Sequence, residues 1–128
     1  MVEKINGTEE FLKAIGDENT GLVLIDFYAV WCMPCRLFAP KLEKMTEEYT
    51  NIKFYKLDVD ENSLAARKCQ ISSLPTFCLF YKGNHISEVV GTNQAMLNSM
   101  LTKYSELAKE PVVEPSQPEE IPQLENNV

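Results

Sequence analysis

The pattern of apolar and polar residues predicts four β-strands, at residues 22–29, 52–59, 76–81 and 86–90. The first is apolar throughout except for Asp26, which is typical of a strand buried on both faces of a sheet. The second alternates between apolar and polar residues, and the third is rich in aromatic side chains. The turn Lys82-Gly83-Asn84 predicts that the last two strands form a hairpin, which ends at Gly91.

Three other stretches have apolar residues at the spacing of a helix. These residues are Phe11, Leu12 and Ile15; Leu37, Leu42, Met45 and Tyr49; and Met96, Leu97, Met100, Leu101 and Tyr104. Asn93 is placed to cap the third helix. Strands that alternate with helices, followed by a hairpin, predict an α/β domain whose mixed sheet has helices on both faces.

The chain has 128 residues, enough for one domain with a short appendage. Residues 109–128 contain four of the seven prolines and five Glu but no aromatic residue. Because so little apolar surface cannot offset the entropy of ordering, we predict a folded domain at residues 1–108 and a disordered acidic, Pro-rich tail at residues 109–128. A solvated tail is the simpler interpretation, and partner binding or anchoring is the alternative.

Charge and hydropathy exclude several classes of function. The tail carries −4 of the net charge of −7, and the mildly acidic domain has no cluster of Lys or Arg to bind nucleic acid. No stretch approaches the roughly 20 consecutive apolar residues of a membrane helix, and the first residues lack the apolar segment of a secretory signal. We therefore expect a cytoplasmic protein that binds neither nucleic acid nor a membrane.

Cys32 and Cys35 stand at C-x-x-C spacing, directly after the first predicted strand and at the start of a predicted helix. Free N–H groups and the dipole at a helix N-terminus favour a thiolate at Cys32. The spacing lets one cysteine attack a disulfide while the other resolves the mixed disulfide. Pro34 suits an early helical position. Cys69 and Cys78 are nine residues apart, so a second close pair for zinc is missing and no metal is expected.

Five motifs together resemble the thioredoxin family in order and spacing. They are Asp26-Phe27-Tyr28-Ala29, Trp31-Cys32-Met33-Pro34-Cys35-Arg36, Lys56-Leu57-Asp58-Val59-Asp60, Leu74-Pro75-Thr76-Phe77 and Val90-Gly91. The resemblance covers about residues 1–107. It implies the thioredoxin fold, with a single mixed five-stranded sheet flanked by four helices, and a protein-disulfide reductase with no bound cofactor beyond the redox-active disulfide Cys32–Cys35.

The resemblance also implies roles for residues around the disulfide. Cys32 would be the nucleophile and Cys35 the more buried resolving thiol. Asp26 would lie behind them, where burial raises the pKa of a carboxyl group and allows it to relay the proton that Cys35 loses. Lys56 would tune this carboxylate. A purely structural Asp26 and a solvent-facing Lys56 are the alternatives.

Four further residues match the substrate surface of the family. Pro75 matches the cis-proline, beside which the backbone of Leu74 would meet an extended substrate, and Trp31 and Gly91 match the surface around the sulfurs. Met33 stands where the family usually has Gly, which leaves the redox potential and the substrate preference open. It also offers a soft apolar contact to partners.

The remaining candidates are two cysteines and the single histidine. Cys69 occupies a position where some thioredoxins carry a regulatory cysteine, although a packing role is the simpler interpretation. Cys78 is expected to pack in a core strand. His85 is expected on the surface of the hairpin turn, away from the other cysteines, so a Cys-His protease has little support.

The resemblance implies a monomer that reduces disulfide-containing proteins and is recycled by an NADPH-dependent thioredoxin reductase. Two alternatives remain open. One is an oxidase or isomerase of the same fold, which a strong effect of Met33 on the potential would favour. The other is an interaction or redox-sensing module that binds target proteins with little turnover.

Overall fold

A computed structural model describes residues 1–16 and 21–109. Within these residues the element order is β1 (Glu3–Lys4), α1 (Thr8–Ile15), β2 (Leu22–Tyr28), α2 (Met33–Glu48), β3 (Ile52–Asp58), α3 (Ser63–Lys68), β4 (Thr76–Tyr81), β5 (Asn84–Val90) and α4 (Gln94–Lys109). The strands form one sheet in the order β1-β3-β2-β4-β5. The first three of these are mutually parallel, and β4 is antiparallel to both of its neighbours. The mixed five-stranded α/β fold is confirmed.

All four strands predicted from the apolar pattern are present, and the predicted cap of α4 forms because the Met96 N–H donates to Asn93 Oδ1 at 3.0 Å. That pattern missed β1 and α3, which have only two and six residues, too few to show a period. The prediction that His85 lies in the hairpin turn was wrong, because β5 begins at Asn84. Helix α4 ends at Lys109, and residues 110–128 of the predicted tail lie outside the described residues.

Alternate residues of the central strand β2 pack into two separate cores. Leu22 and Leu24 face the core beneath α2 and α4, whereas Val23, Ile25 and Phe27 face the core beneath α1 and α3. This arrangement confirms helices on both faces of the sheet. No helix in the described part of the chain is long and apolar enough to cross a membrane.

Candidate active site

The cysteine pair lies between the end of β2 and the start of α2. Cys32 is the N-cap of α2, and its Sγ accepts a hydrogen bond from the backbone N–H of Cys35 at 3.3 Å. A disulfide joins the two residues, whose Cα atoms are 5.3 Å apart. Pro34 lies in the first turn of α2, where its missing N–H removes no helical hydrogen bond. The sequence therefore places both sulfurs at the helix N-terminus, where negative charge is favoured.

The two cysteines line different cavities. Cys32 and Cys35 are almost equally buried, at 5% and 4% exposure, so burial alone does not assign their roles. Cys32 lines an outer groove of about 490 Å³, whereas Cys35 lines a separate inner cleft of about 310 Å³. Only Cys32 therefore borders the cavity that also contains the exposed side chains of Trp31 and Met33.

The outer groove brings together segments that are distant in sequence. The groove is lined by the Trp31 to Pro34 segment and by a second segment that includes Leu74. The Leu74–Pro75 peptide bond is cis, as the resemblance implied. The Gly91 N–H donates to the carbonyl oxygen of Pro75 at 2.8 Å, which ties the end of β5 to this loop.

Trp31 is 68% exposed yet is held in a definite orientation, because its indole Nε1–H donates to Asp60 Oδ2 at 2.8 Å. The sequence interpretation assigned no role to Asp60. Asp60 is the last residue of the Lys56 to Asp60 motif, but a linear motif does not show that Asp60 contacts Trp31, 29 positions earlier in the chain. Asp60 therefore shapes the groove by positioning the indole beside Cys32.

Asp26 lies behind the disulfide as an isolated buried carboxyl group. It is 7% exposed, and its Oδ1 has no hydrogen-bond partner among the described residues. Burial raises the pKa of Asp26 from 3.8 to about 7, against the opposing effect of the positive charge of Lys56. Lys56 is the direct neighbour of Asp26 on β3, and both residues line the inner cleft together with Cys35.

The inner cleft therefore combines an acid that can be half ionised near pH 7 with one of the two redox sulfurs. Such a carboxyl group can accept or donate a proton at physiological pH. The walls of the inner cleft also include Tyr28 and Arg36, which the sequence interpretation did not consider as site residues. The Nζ of Lys56 lies 5.9 Å from the centre of the Tyr28 ring, which keeps the ammonium group at this cleft.

The other two cysteines lie outside the redox site. Cys69 and Cys78 are free thiols buried in the core beneath α1 and α3. Burial raises the pKa of Cys69 to about 11, and burial also raises the pKa of Cys78 far above its ordinary value. Both thiols are thus protonated at neutral pH and unlike a reactive cysteine.

Comparisons with known proteins agree with this geometry. The family model described as Thioredoxin matches residues 2–103. Thioredoxin-1 of Saccharomyces cerevisiae is 43% identical over 101 residues, which cover 79% of this chain and 96% of the relative. Thioredoxin of Mus musculus is 33% identical over 105 residues, covering 82% of this chain and 100% of the relative. The crystal structure of Malassezia sympodialis thioredoxin is similar with a TM-score of 0.77 and 36% identity, covering 82% of this chain and 91% of that one.

Proposed function

Because the chain belongs to the thioredoxin family and is a thiol-disulfide oxidoreductase that reduces protein disulfides, we propose that Cys32 attacks the substrate and Cys35 resolves the intermediate. The observation that supports this assignment is that the two cysteines line different cavities. A substrate disulfide can approach through the outer groove, which Cys32 lines beside the exposed Trp31, whereas Cys35 lines the cleft that contains Asp26.

The reaction begins from the dithiol form of the protein. The Cys32 thiolate attacks one sulfur of the substrate disulfide, whose S–S bond breaks, and the other substrate sulfur leaves as a thiolate that takes up a proton. Cys35 then loses its proton and attacks the Cys32 sulfur of the mixed disulfide. The second substrate thiol leaves, and two electrons have passed from the cysteine pair to the substrate. The products are a substrate dithiol and the Cys32–Cys35 disulfide.

Asp26 is the proton acceptor for Cys35 in this proposal. The support is that both residues line one cleft and that burial raises the pKa of Asp26 to about 7. Roughly half of the Asp26 carboxyl groups are therefore ionised at pH 7, and this fraction can accept the thiol proton. Lys56, on the neighbouring strand, limits how far the pKa rises.

Substrate is proposed to bind as an extended segment along the outer groove. The support is that the exposed indole of Trp31 and the exposed side chain of Met33 line this groove together with Leu74. The backbone of Leu74, beside the cis Pro75, would hydrogen-bond to the segment, and Gly91 would border it. Met33 would add an adaptable apolar contact.

The cellular setting is part of the same proposal. The protein would act as a cytoplasmic monomer without a bound cofactor, and thioredoxin reductase would return its disulfide to the dithiol with electrons from NADPH. One support is that the relatives are named thioredoxin. The other is that Cys69 and Cys78 are free thiols, since cysteines of proteins in a reducing compartment stay unpaired. A regulatory role for Cys69 stays a prediction, and the burial of this residue favours the alternative, a packing role.

An insulin reduction assay with thioredoxin reductase and NADPH tests the proposal. Wild-type protein should consume NADPH steadily, and Cys32→Ser should remove this turnover. Cys35→Ser should instead accumulate a mixed disulfide between Cys32 and the substrate, visible by mass spectrometry. Cys69→Ala, which removes a thiol outside the site, is the matched control and should keep turnover. Absence of turnover in the wild type would favour a binding module instead.

A further inference from the structure

Cys78, His85 and Glu88 bring three different ligand atoms together at the edge of the sheet; we call them the edge cluster. Their sulfur, imidazole nitrogen and carboxylate oxygen all lie within 4.8 Å of one another. Glu88 Oε1 is 3.3 Å from His85 Nε2 and 4.0 Å from Cys78 Sγ. The edge cluster has a chemically mixed set of donors that the reductase mechanism does not use.

The edge cluster is separate from the redox site. Cys78 pairs with Ile25 across the sheet, whereas the next residue of β2, Asp26, pairs with Phe77. Directly paired residues share a face, and successive residues point to opposite faces. Asp26 therefore lies on the side of α2, and the edge cluster lies on the opposite side, against α1 and α3.

A β-bulge creates this grouping. Residues three apart in a regular strand point to opposite faces, so His85 and Glu88 would normally diverge. Cys78 on β4 pairs with Glu88 on β5. Phe80 lies two residues after Cys78 on β4, but it pairs with His85, which lies three residues before Glu88 on β5. The strand β5 thus holds one extra residue, Ile86, which turns His85 to the face of Glu88. The imidazole then lies against the Phe80 ring, with centroids 5.1 Å apart. Bulges re-aim side chains in this way.

We propose that the edge cluster binds a zinc ion through Cys78 Sγ, His85 Nε2 and a carboxylate oxygen of Glu88. Zinc takes all three donor types at about 2.0–2.3 Å, which separates the donors of a tetrahedral site by about 3.3–3.8 Å. The distances from Glu88 Oε1 to His85 Nε2 and to Cys78 Sγ, 3.3 and 4.0 Å, are close to this range. The third pair, His85 Nε2 and Cys78 Sγ, lies within 4.8 Å, so these two atoms would approach by up to about 1 Å on binding. The side chains of His85 and Glu88 are 30% and 47% exposed, so they can make this adjustment and admit the ion from solvent.

The donor chemistry selects zinc over the more abundant hard cations. Mg²⁺ and Ca²⁺ take oxygen ligands, whereas a thiolate with an imidazole suits a borderline-soft ion. Binding releases the Cys78 proton to solvent, and no electron is transferred. The negative charges of the Cys78 thiolate and the Glu88 carboxylate then equal the two positive charges of the zinc ion. The zinc site as a whole is therefore neutral, as the protonated thiol was, and no net charge is buried beside the core. The fourth position remains for water.

Metal titration of the full chain tests the site in a Cys32→Ser, Cys35→Ser background, because the catalytic dithiol would otherwise compete for zinc. The protein is kept in a reductant that is not a thiol and titrated with Zn²⁺, and separately with Co²⁺ as a spectroscopic probe. We expect one ion per chain and a thiolate-to-cobalt charge-transfer band. Cys78→Ser should remove that band.

His85→Gln and Glu88→Gln decide the test, since these partly exposed residues can change without the folding risk at buried Cys78. Each should weaken zinc binding by at least about 10-fold. Glu61→Gln removes an exposed carboxylate that pairs with Lys4 at 3.2 Å, and it should leave the affinity unchanged. A titration without saturable binding would overturn the proposal. So would an affinity that neither His85→Gln nor Glu88→Gln alters.

Discussion

Two regions of the domain contain cysteines, and the exposed fraction of each cysteine does not by itself distinguish the two regions. Cys32 and Cys35 are 5% and 4% exposed, while Cys69 and Cys78 are 8% and 0% exposed. Cys32 caps a helix, Cys35 lies in its first turn, and the two border two cavities, whereas Cys69 and Cys78 pack in a core, with Cys78 also part of the edge cluster. We therefore expect stabilisation of the thiolate at a helix N-terminus, together with an adjoining groove, to distinguish Cys32 from the core thiols in its reaction with disulfides.

The contrast extends to the acid behind the redox pair. Burial raises the pKa of both Asp26 and Cys69, but from different starting values, to about 7 and about 11. The same physical cause gives a carboxyl group that exchanges protons at neutral pH and a thiol that stays protonated. Desolvation thus brings the pKa of the carboxyl group close to neutral pH and moves the pKa of the thiol further from it.

Alkylation of the reduced protein at pH 7 should give the largest difference between the two regions. The nucleophilic thiol of thioredoxins has a pKa near 7, so about half of it is ionised at pH 7, whereas about one thiol in 10⁴ is ionised at a pKa of about 11. Iodoacetamide should therefore modify Cys32 at least about 10³-fold faster than Cys69, measured by mass spectrometry of peptides over time. Cys69 should react freely in guanidinium chloride. Rates within tenfold of each other in the native protein would contradict the comparison.

Asp26→Asn should stabilise the fold in a pH-dependent way. The folded pKa is about 7 and the unfolded value is 3.8, so between these values the folded state keeps a proton that the unfolded state has released. Stability therefore falls as pH rises through this window, and above pH 7 the cost reaches roughly 4 kcal/mol at most. Urea unfolding should show Asp26→Asn more stable by a few kcal/mol at pH 8 and little changed at pH 3.5.

Asp58→Asn is the control for this measurement. Asp58 is also buried, but its Oδ1 accepts a hydrogen bond from the Asp60 N–H at 2.9 Å. Replacing a satisfied carboxylate should give no such gain at pH 8. Equal stabilisation by both variants would mean that the raised pKa of Asp26 is not the cause.

Asp26→Asn should also slow insulin reduction, by about 10-fold near pH 7, because Cys35 loses its nearby proton acceptor. The wild-type rate should rise with pH as Asp26 ionises, and the rate of the variant should lose this dependence. Rates would be measured from pH 6 to 8 at saturating thioredoxin reductase. Matching profiles for the two proteins would exclude the proton-relay role.

Met33→Gly should have the smallest effect. Met33 is the first residue of α2 and is 55% exposed, so the glycine costs about 0.5 kcal/mol of unfolding free energy through lost helix propensity. Insulin reduction should change less than about threefold, since Met33 supplies one exposed contact to substrate. Met33→Ala keeps the helix propensity and separates the two effects. A larger rate loss in both variants would make Met33 a specificity determinant.

The apolar pattern alone predicted the four longer strands, three helices and the position of the C-x-x-C pair at a helix start. These features depend on residues that are neighbours in sequence, so their periodicity and spacing are visible without a fold. Asp26 was visible in the pattern as the one carboxylate in an apolar strand, and the resemblance implied its place behind the cysteine pair. The resemblance added the cis Pro75 and the count of five strands.

Only the tertiary structure decided which side chains share a cavity. It placed Asp60 on the indole of Trp31, separated the cavities of Cys32 and Cys35, and aligned His85 with Glu88 through one extra residue in β5. A single inserted residue reverses the faces of a strand, and a periodic pattern does not reveal where pairing shifts. Contacts between distant segments depend on sheet register and loop geometry, which the whole fold sets through packing.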